Sequence, residues 1–106
     1  MKQLETYDEY ITFITTNKIC CIDFWAEWCG PCKRIAPFFE ICSEKFPSIS
    51  FAKINVDNIE FEVIVSKYVK SGIPLFIGMK EGEKVDECVG ANNEKITELC
   101  ERLSQL

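Results

Sequence analysis

Residues 19–33 read ICCIDFWAEWCGPCK, and the parsing of this stretch decides the rest of the chain. Ile19–Ala26 is a nearly continuous apolar run, rich in residues that suit a pleated, buried strand. One carboxylate, Asp23, interrupts it. Beyond the run, Ile35, Phe38, Phe39, Cys42 and Phe46 recur with helical spacing, with Pro37 inside the pattern as an expected kink. The segment WCGPCK (28–33) therefore falls where a buried strand ends and a helix begins. Two thiols at this spacing could hold a metal, staple the fold, or open and close a disulfide as chemistry.

Outward from this junction, helical and strand-like patterns alternate, the mark of a sheet with helices on its faces. TYDE (6–9) reads as a capping box, followed by Tyr7, Tyr10, Ile11 and Ile14 at i, i+3, i+4 and i+7. ISFAKINV (49–56) predicts the next strand, and Phe61, Ile64, Val65 and Tyr68 mark a third helix. PLFIGMK, then EG, then EKVDECV predicts an antiparallel hairpin in which Gly82 supplies the permissive turn position. Ile96, Leu99, Cys100 and Leu103 give a final helix behind an Asn92/Asn93 cap.

The chain has 106 residues, enough for one core and one domain over 1–106. Its net charge of −5 disfavours nucleic acid and anionic membranes, which need clustered Lys and Arg. No stretch approaches the roughly 18 apolar residues of a membrane span, and MKQLETYDEY has no apolar targeting core, so a soluble, cytoplasmic protein is expected. In a reducing compartment most of the seven cysteines stay thiols.

The spacing of Cys29 and Cys32 is weak evidence alone, because seven cysteines in this length produce some such pair about one time in three. Context adds the weight. A cysteine at the first turn of a helix faces unpaired N–H groups and the positive end of the dipole, both favouring thiolate. An ordinary thiol with a pKa near 8.5 is about 3% ionised at neutral pH, so lowering it by one unit raises the nucleophile roughly eightfold. Gly30 lets the backbone bend, and Pro31 suits an early helical position where a missing N–H costs nothing. Zinc fits poorly: there is no histidine and no second CxxC, while adjacent Cys20 and Cys21 point to opposite faces of a strand. A staple closing so short a loop removes little chain entropy. Reversible redox chemistry remains.

Asp23 fits that reading, since a carboxylate in an apolar strand costs several kcal/mol unless neutral, paired or useful. A strand-edge aspartate facing water is the plain alternative. Lys53, interrupting FAKIN, is a charge partner if the two strands are neighbours.

DFWAEWCGPCK resembles the active-site segment of the thioredoxin family. The resemblance extends through Pro37, AKINVD as the third strand, Ile73-Pro74 before the fourth, and EGEKVDECVGAN. It implies a thioredoxin fold: an α/β domain with a central mixed sheet of about five strands and four flanking helices. It also implies a general dithiol–disulfide reductase without bound cofactor, acting as a monomer. By resemblance, Cys29 would be the attacking thiolate and Cys32 the resolving thiol, with Asp23 acting through water as the base for Cys32, modulated by Lys53. Trp28, Gly30, Pro31, Ile73, Pro74, Gly90 and Ala91 would meet the substrate, with Pro74 cis as in the family. Electrons would come from an NADPH-dependent thioredoxin reductase and pass to oxidised proteins such as peroxiredoxin or ribonucleotide reductase.

Two positions depart from the family. Leu75 stands where Thr is usual, and Gly78 where a bulky apolar residue is usual, so that strand is expected to be loosely packed or bulged. Cys42 and Cys100 read as core hydrophobes, Cys20 and Cys21 as inert, and Cys88 as the exposed accessory thiol. A disulfide-forming oxidant or isomerase, and a binding module switched by its thiols, stay open as rivals. Gly30-Pro31 offers no side-chain donor to stabilise a thiolate further, which favours the reductase.

Overall fold

The computed structural model describes Met1–Leu106. In chain order it contains β1 (Lys2–Gln3), α1 (Tyr7–Thr16), β2 (Ile19–Trp25), α2 (Gly30–Lys45) and β3 (Ser50–Asn55). A 3-10 turn (Ile59–Phe61), α3 (Glu62–Tyr68), β4 (Leu75–Lys80), β5 (Glu83–Val89) and α4 (Asn93–Ser104) follow. The strands form one mixed sheet in the order β1-β3-β2-β4-β5. β1, β3 and β2 run parallel, and β4 is antiparallel to both of its neighbours.

β2 is central and buried along six of its seven residues because both of its faces are covered. Cys20, Ile22 and Phe24 point into a core closed by Tyr10 and Ile14 of α1 and Ile64 of α3. Cys21 points the other way, into a core closed by Ile35, Phe39 and Cys42 of α2 and Ile96, Leu99, Cys100 and Leu103 of α4. Strand alternation puts Asp23 on this second face. The apolar run that marked the strand is thus a consequence of double coverage.

Local details refine the expectations. Thr6 caps α1 by accepting the Glu9 N–H at 3.1 Å, but the Glu9 carboxylate returns to the N–H of Glu5 at 2.8 Å instead of closing the box on Thr6. Tyr7 and Ile11, counted in the apolar stripe, are exposed. α2 continues through Pro37 to Lys45. Phe61 belongs to the 3-10 turn and precedes α3. The hairpin turn has positive φ at both Glu81 (51°) and Gly82 (83°), the primed geometry that matches strand twist. Pairing shifts between Gly78 and Met79, so β4–β5 is bulged as expected, but the site is not loose: Leu103 of α4 packs directly over Gly78. β1 escaped the sequence reading; Leu4 extends its ladder by donating to the Lys53 carbonyl at 2.9 Å.

Candidate active site

The parallel strands β2 and β3 end together, and α2 begins just past the end of β2. Cys29 is the N-cap of α2: its backbone is extended (φ −92°, ψ 103°), and its sulfur accepts the N–H of Cys32 at 3.2 Å. One of the orphan donors of the helix start is thereby spent on sulfur. Pro31 occupies the first turn, where it has no hydrogen bond to lose. Cys29 and Cys32 are joined as a disulfide with their Cα atoms 5.3 Å apart. Both are buried, packed with Ala26 against half-buried Trp25, Val56 and Ile73.

The Ile73–Pro74 peptide is cis. The Ile73 carbonyl oxygen lies 3.9 Å from Cys29 Sγ. Gly90, at φ 101°, donates its N–H to the Pro74 carbonyl at 2.8 Å, placing it beside this loop. Trp28 is 69% exposed, and its indole N–H donates to Asp57 Oδ2 at 2.9 Å. An open groove of about 610 Å³ lies over Cys29, Gly30, Pro31, Trp28 and Ile73. Its other wall consists of Val56, Asp57, Val65, Val69 and Gly72, which the sequence reading missed. Ala91, half-buried, packs with one side against the core under α4. Asp57 had a usable signal: it closely follows the end of β3, at the carboxyl end of the parallel strands where α/β sheets place their sites.

Asp23 is 3% exposed, and its Oδ1 has no hydrogen-bond partner. It does not face water. Burial pushes its carboxyl from 3.8 up to about 7, against the opposing pull of Lys53. Lys53 is Asp23's register partner on β3, yet its ammonium sits 5.0 Å over the Trp25 ring and forms no ion pair with the carboxylate. Its charge acts on Asp23 through space.

Of the remaining thiols, Cys20, Cys21, Cys42 and Cys88 are pushed up, whereas hydrogen bonds with Cys21 and Cys42 lower Cys100 against the effect of burial. Burial pushes Cys20 up to about 11 and Cys42 up to about 12. Hydrogen bonding with Cys100 and burial raise Cys21. Cys88, half-buried near the end of β5, is pushed up to about 11, mainly by desolvation.

A cysteine pair at a helix start, bonded to each other and opening on an apolar groove, defines a protein of thiol–disulfide exchange. Comparison with known proteins narrows the class. The thioredoxin family model matches residues 2–102. Thioredoxin 1 of Plasmodium falciparum is 39% identical over 102 residues, spanning 96% of each chain. Horse (Equus caballus) thioredoxin is 40% identical over 98 residues, 91% of each. A solved Plasmodium falciparum thioredoxin superposes with a TM-score of 0.90 at 37% identity, covering 96% of this chain and 98% of that one. The chain belongs to the thioredoxin family, with its fold, and is a dithiol–disulfide reductase. Proteins of this family work with reductases and peroxiredoxins. No helix here is long and apolar enough to cross a membrane.

Proposed function

We propose that the single domain, residues 1–106, reduces protein disulfides as a cytoplasmic monomer through Cys29 and Cys32 in turn. In the dithiol state the Cys29 thiolate attacks one sulfur of a substrate disulfide, forming a mixed disulfide and expelling the other substrate sulfur as a thiolate. Cys32 then loses its proton and attacks Cys29 Sγ, which releases the second substrate thiol and leaves the Cys29–Cys32 disulfide. Two electrons pass to the substrate, and an NADPH-fed thioredoxin reductase restores the dithiol. The observation that carries this order is the Cys32 N–H directed at Cys29 Sγ, at a helix start inside the groove.

Asp23 is the base for Cys32, acting through water. A carboxyl titrating near 7 is populated in both forms at neutral pH, as a base that must also return its proton requires. Its unpartnered Oδ1 is the atom free for that water. Lys53 keeps the carboxylate accessible by opposing the effect of burial. An extended substrate segment lies along Trp28, Gly30, Pro31 and the Ile73–Pro74 loop, with Gly90 and Ala91 beyond it. Peroxiredoxin and ribonucleotide reductase are the proposed electron acceptors.

Insulin reduction coupled to NADPH and a thioredoxin reductase tests the cycle, with NADPH consumption expected. A Cys32→Ser variant should accumulate a mixed disulfide at Cys29, visible as a mass adduct that dithiothreitol removes. Partner binding without any adduct would instead mark a docking module.

A further inference from the structure

The two most exposed large apolar side chains in the molecule are Ile59, at 79%, and Val63, at 75%. They are four residues apart across the junction of the 3-10 turn and α3, which sets them on one face. Packing does not require them, because Phe61 and Ile64 already supply the buried side of this segment. Isolated surface apolar residues are ordinary, but Ile59 lines a hollow next to the thiol groove and Val63 follows it one turn on along the same face. A second hollow, about 370 Å³, includes Ile59 and Glu62 in its lining and shares Val56, Asp57 and Val65 with the groove over Cys29. The two hollows carry the carboxylates of Asp57 and Glu62, and no lysine or arginine lines either. Glu62 makes no ion pair within the chain.

We infer that the substrate groove continues past Asp57 onto Ile59, Glu62 and Val63, and that this extension selects oxidised proteins carrying an apolar residue and a lysine or arginine near the reactive cysteine. The selection rests on the reductase reading of Cys29 and Cys32 and leaves the exchange step unchanged. The apolar part of the segment covers Ile59 and Val63, while its cation meets Asp57 and Glu62. The same carboxylates, in a chain of net charge −5, oppose both a second copy of this protein and an anionic membrane as occupants.

Three disulfides carrying the same leaving thiol, 2-mercaptoethanol, test the extension. One joins it to a peptide with leucine and lysine around the cysteine, one to the same peptide with glutamate for lysine, and one is neutral bis(2-hydroxyethyl) disulfide. Second-order rate constants are read from the loss of protein thiols in the pre-reduced protein. The lysine peptide should react about tenfold faster than the glutamate peptide at low salt, with the gap narrowing as salt rises. Ile59→Ser/Val63→Ser should slow both peptides about fivefold and leave bis(2-hydroxyethyl) disulfide within about twofold. Glu62→Lys should erase most of the charge preference. Glu44→Lys makes the same change in net charge near the far end of α2 and should preserve that preference.

Equal rates for the two peptides in the wild type, or equal slowing of all three disulfides by Ile59→Ser/Val63→Ser, would overturn the extension while leaving the reductase standing. Failure of the wild type to react with any of the three would strike the reductase reading itself. Sedimentation of the reduced protein covers the remaining occupant: a dimer abolished by Ile59→Ser/Val63→Ser would give the patch to a second copy and refute the proposal.

Discussion

Cys29 and Cys32 at the end of β2, and Cys21, Cys42 and Cys100 beneath α4, are buried to a similar degree but differ in what surrounds them. At the first group a backbone N–H points at Cys29 Sγ, the helix start is positive, and an apolar groove admits a second chain. At the second, the sulfurs lie among Phe39, Phe76 and Leu99, where the hydrogen bond with Cys100 raises Cys21 and desolvation raises Cys42. Burial therefore does not decide which thiol is chemical. The donors reaching the sulfur, and the opening beside it, do.

The sharpest way to break this comparison is to remove one sulfur from each group. Cys29→Ser should lower insulin reduction at least about a thousandfold, since a hydroxyl near neutral pH supplies almost no anionic nucleophile. Cys42→Ala removes a buried thiol of comparable exposure and should leave the rate within about twofold, at a modest stability cost from the small cavity. A large loss of rate in Cys42→Ala, with its melting curve intact, would mean the second group participates in exchange.

Asp23 sits on the same face as Cys21, and its effect should appear in stability as much as in rate. Between about pH 4 and pH 7 the folded protein holds a proton on Asp23 that the unfolded chain has released. Stability is thus full below the unfolded pKa, declines as pH rises toward 7, and then levels off. The accumulated loss is roughly 4 kcal/mol at most. Asp23→Asn abolishes this titration, so urea unfolding of the disulfide form should find the variant more stable by a few kcal/mol at pH 8 and the two proteins converging near pH 4. Lys53→Met should raise the Asp23 pKa further and move the decline to higher pH. Parallel stability curves for wild type and Asp23→Asn would show that burial does not perturb this carboxyl.

Much of this arrangement was legible in the chain because its signals are local. The apolar run with one carboxylate, the cysteines at the strand–helix junction, Asn92 as a cap and the hairpin turn all depend on near neighbours, and the structure keeps them. β1 has two residues and no period to detect, so only its pairing with β3 reveals it. The groove unites Trp28 with Val56, Val65 and Gly72 of its far wall, residues distant in sequence that no spacing rule joins. Lys53 was legible as Asp23's neighbour, but its side-chain direction was not: the ammonium lies over the Trp25 ring.

Gly78 shows the same limit at the second cysteine group and gives the mildest prediction. The absence of a side chain suggested a gap or a bulge, and the bulge is present, but the volume is filled from α4: a Cβ there would lie 2.5 Å from Leu103 Cδ2 and 3.0 Å from Cδ1. Leu103 is itself fully enclosed, so it has little room to retreat. Gly78→Ala should therefore cost about 1–3 kcal/mol through overpacking. Leu103→Ala alone should cost about 2–4 kcal/mol by leaving a cavity. In the double variant the new methyl enters that cavity, so the combined loss should fall short of the sum of the two singles, a coupling that urea unfolding measures directly. Insulin reduction per folded molecule should be unchanged in all three, because the contact lies on the core under α4 and not in the groove over Cys29. Additive losses would show that α4 can shift to accept a side chain at position 78, and that glycine there reflects only the bulged backbone.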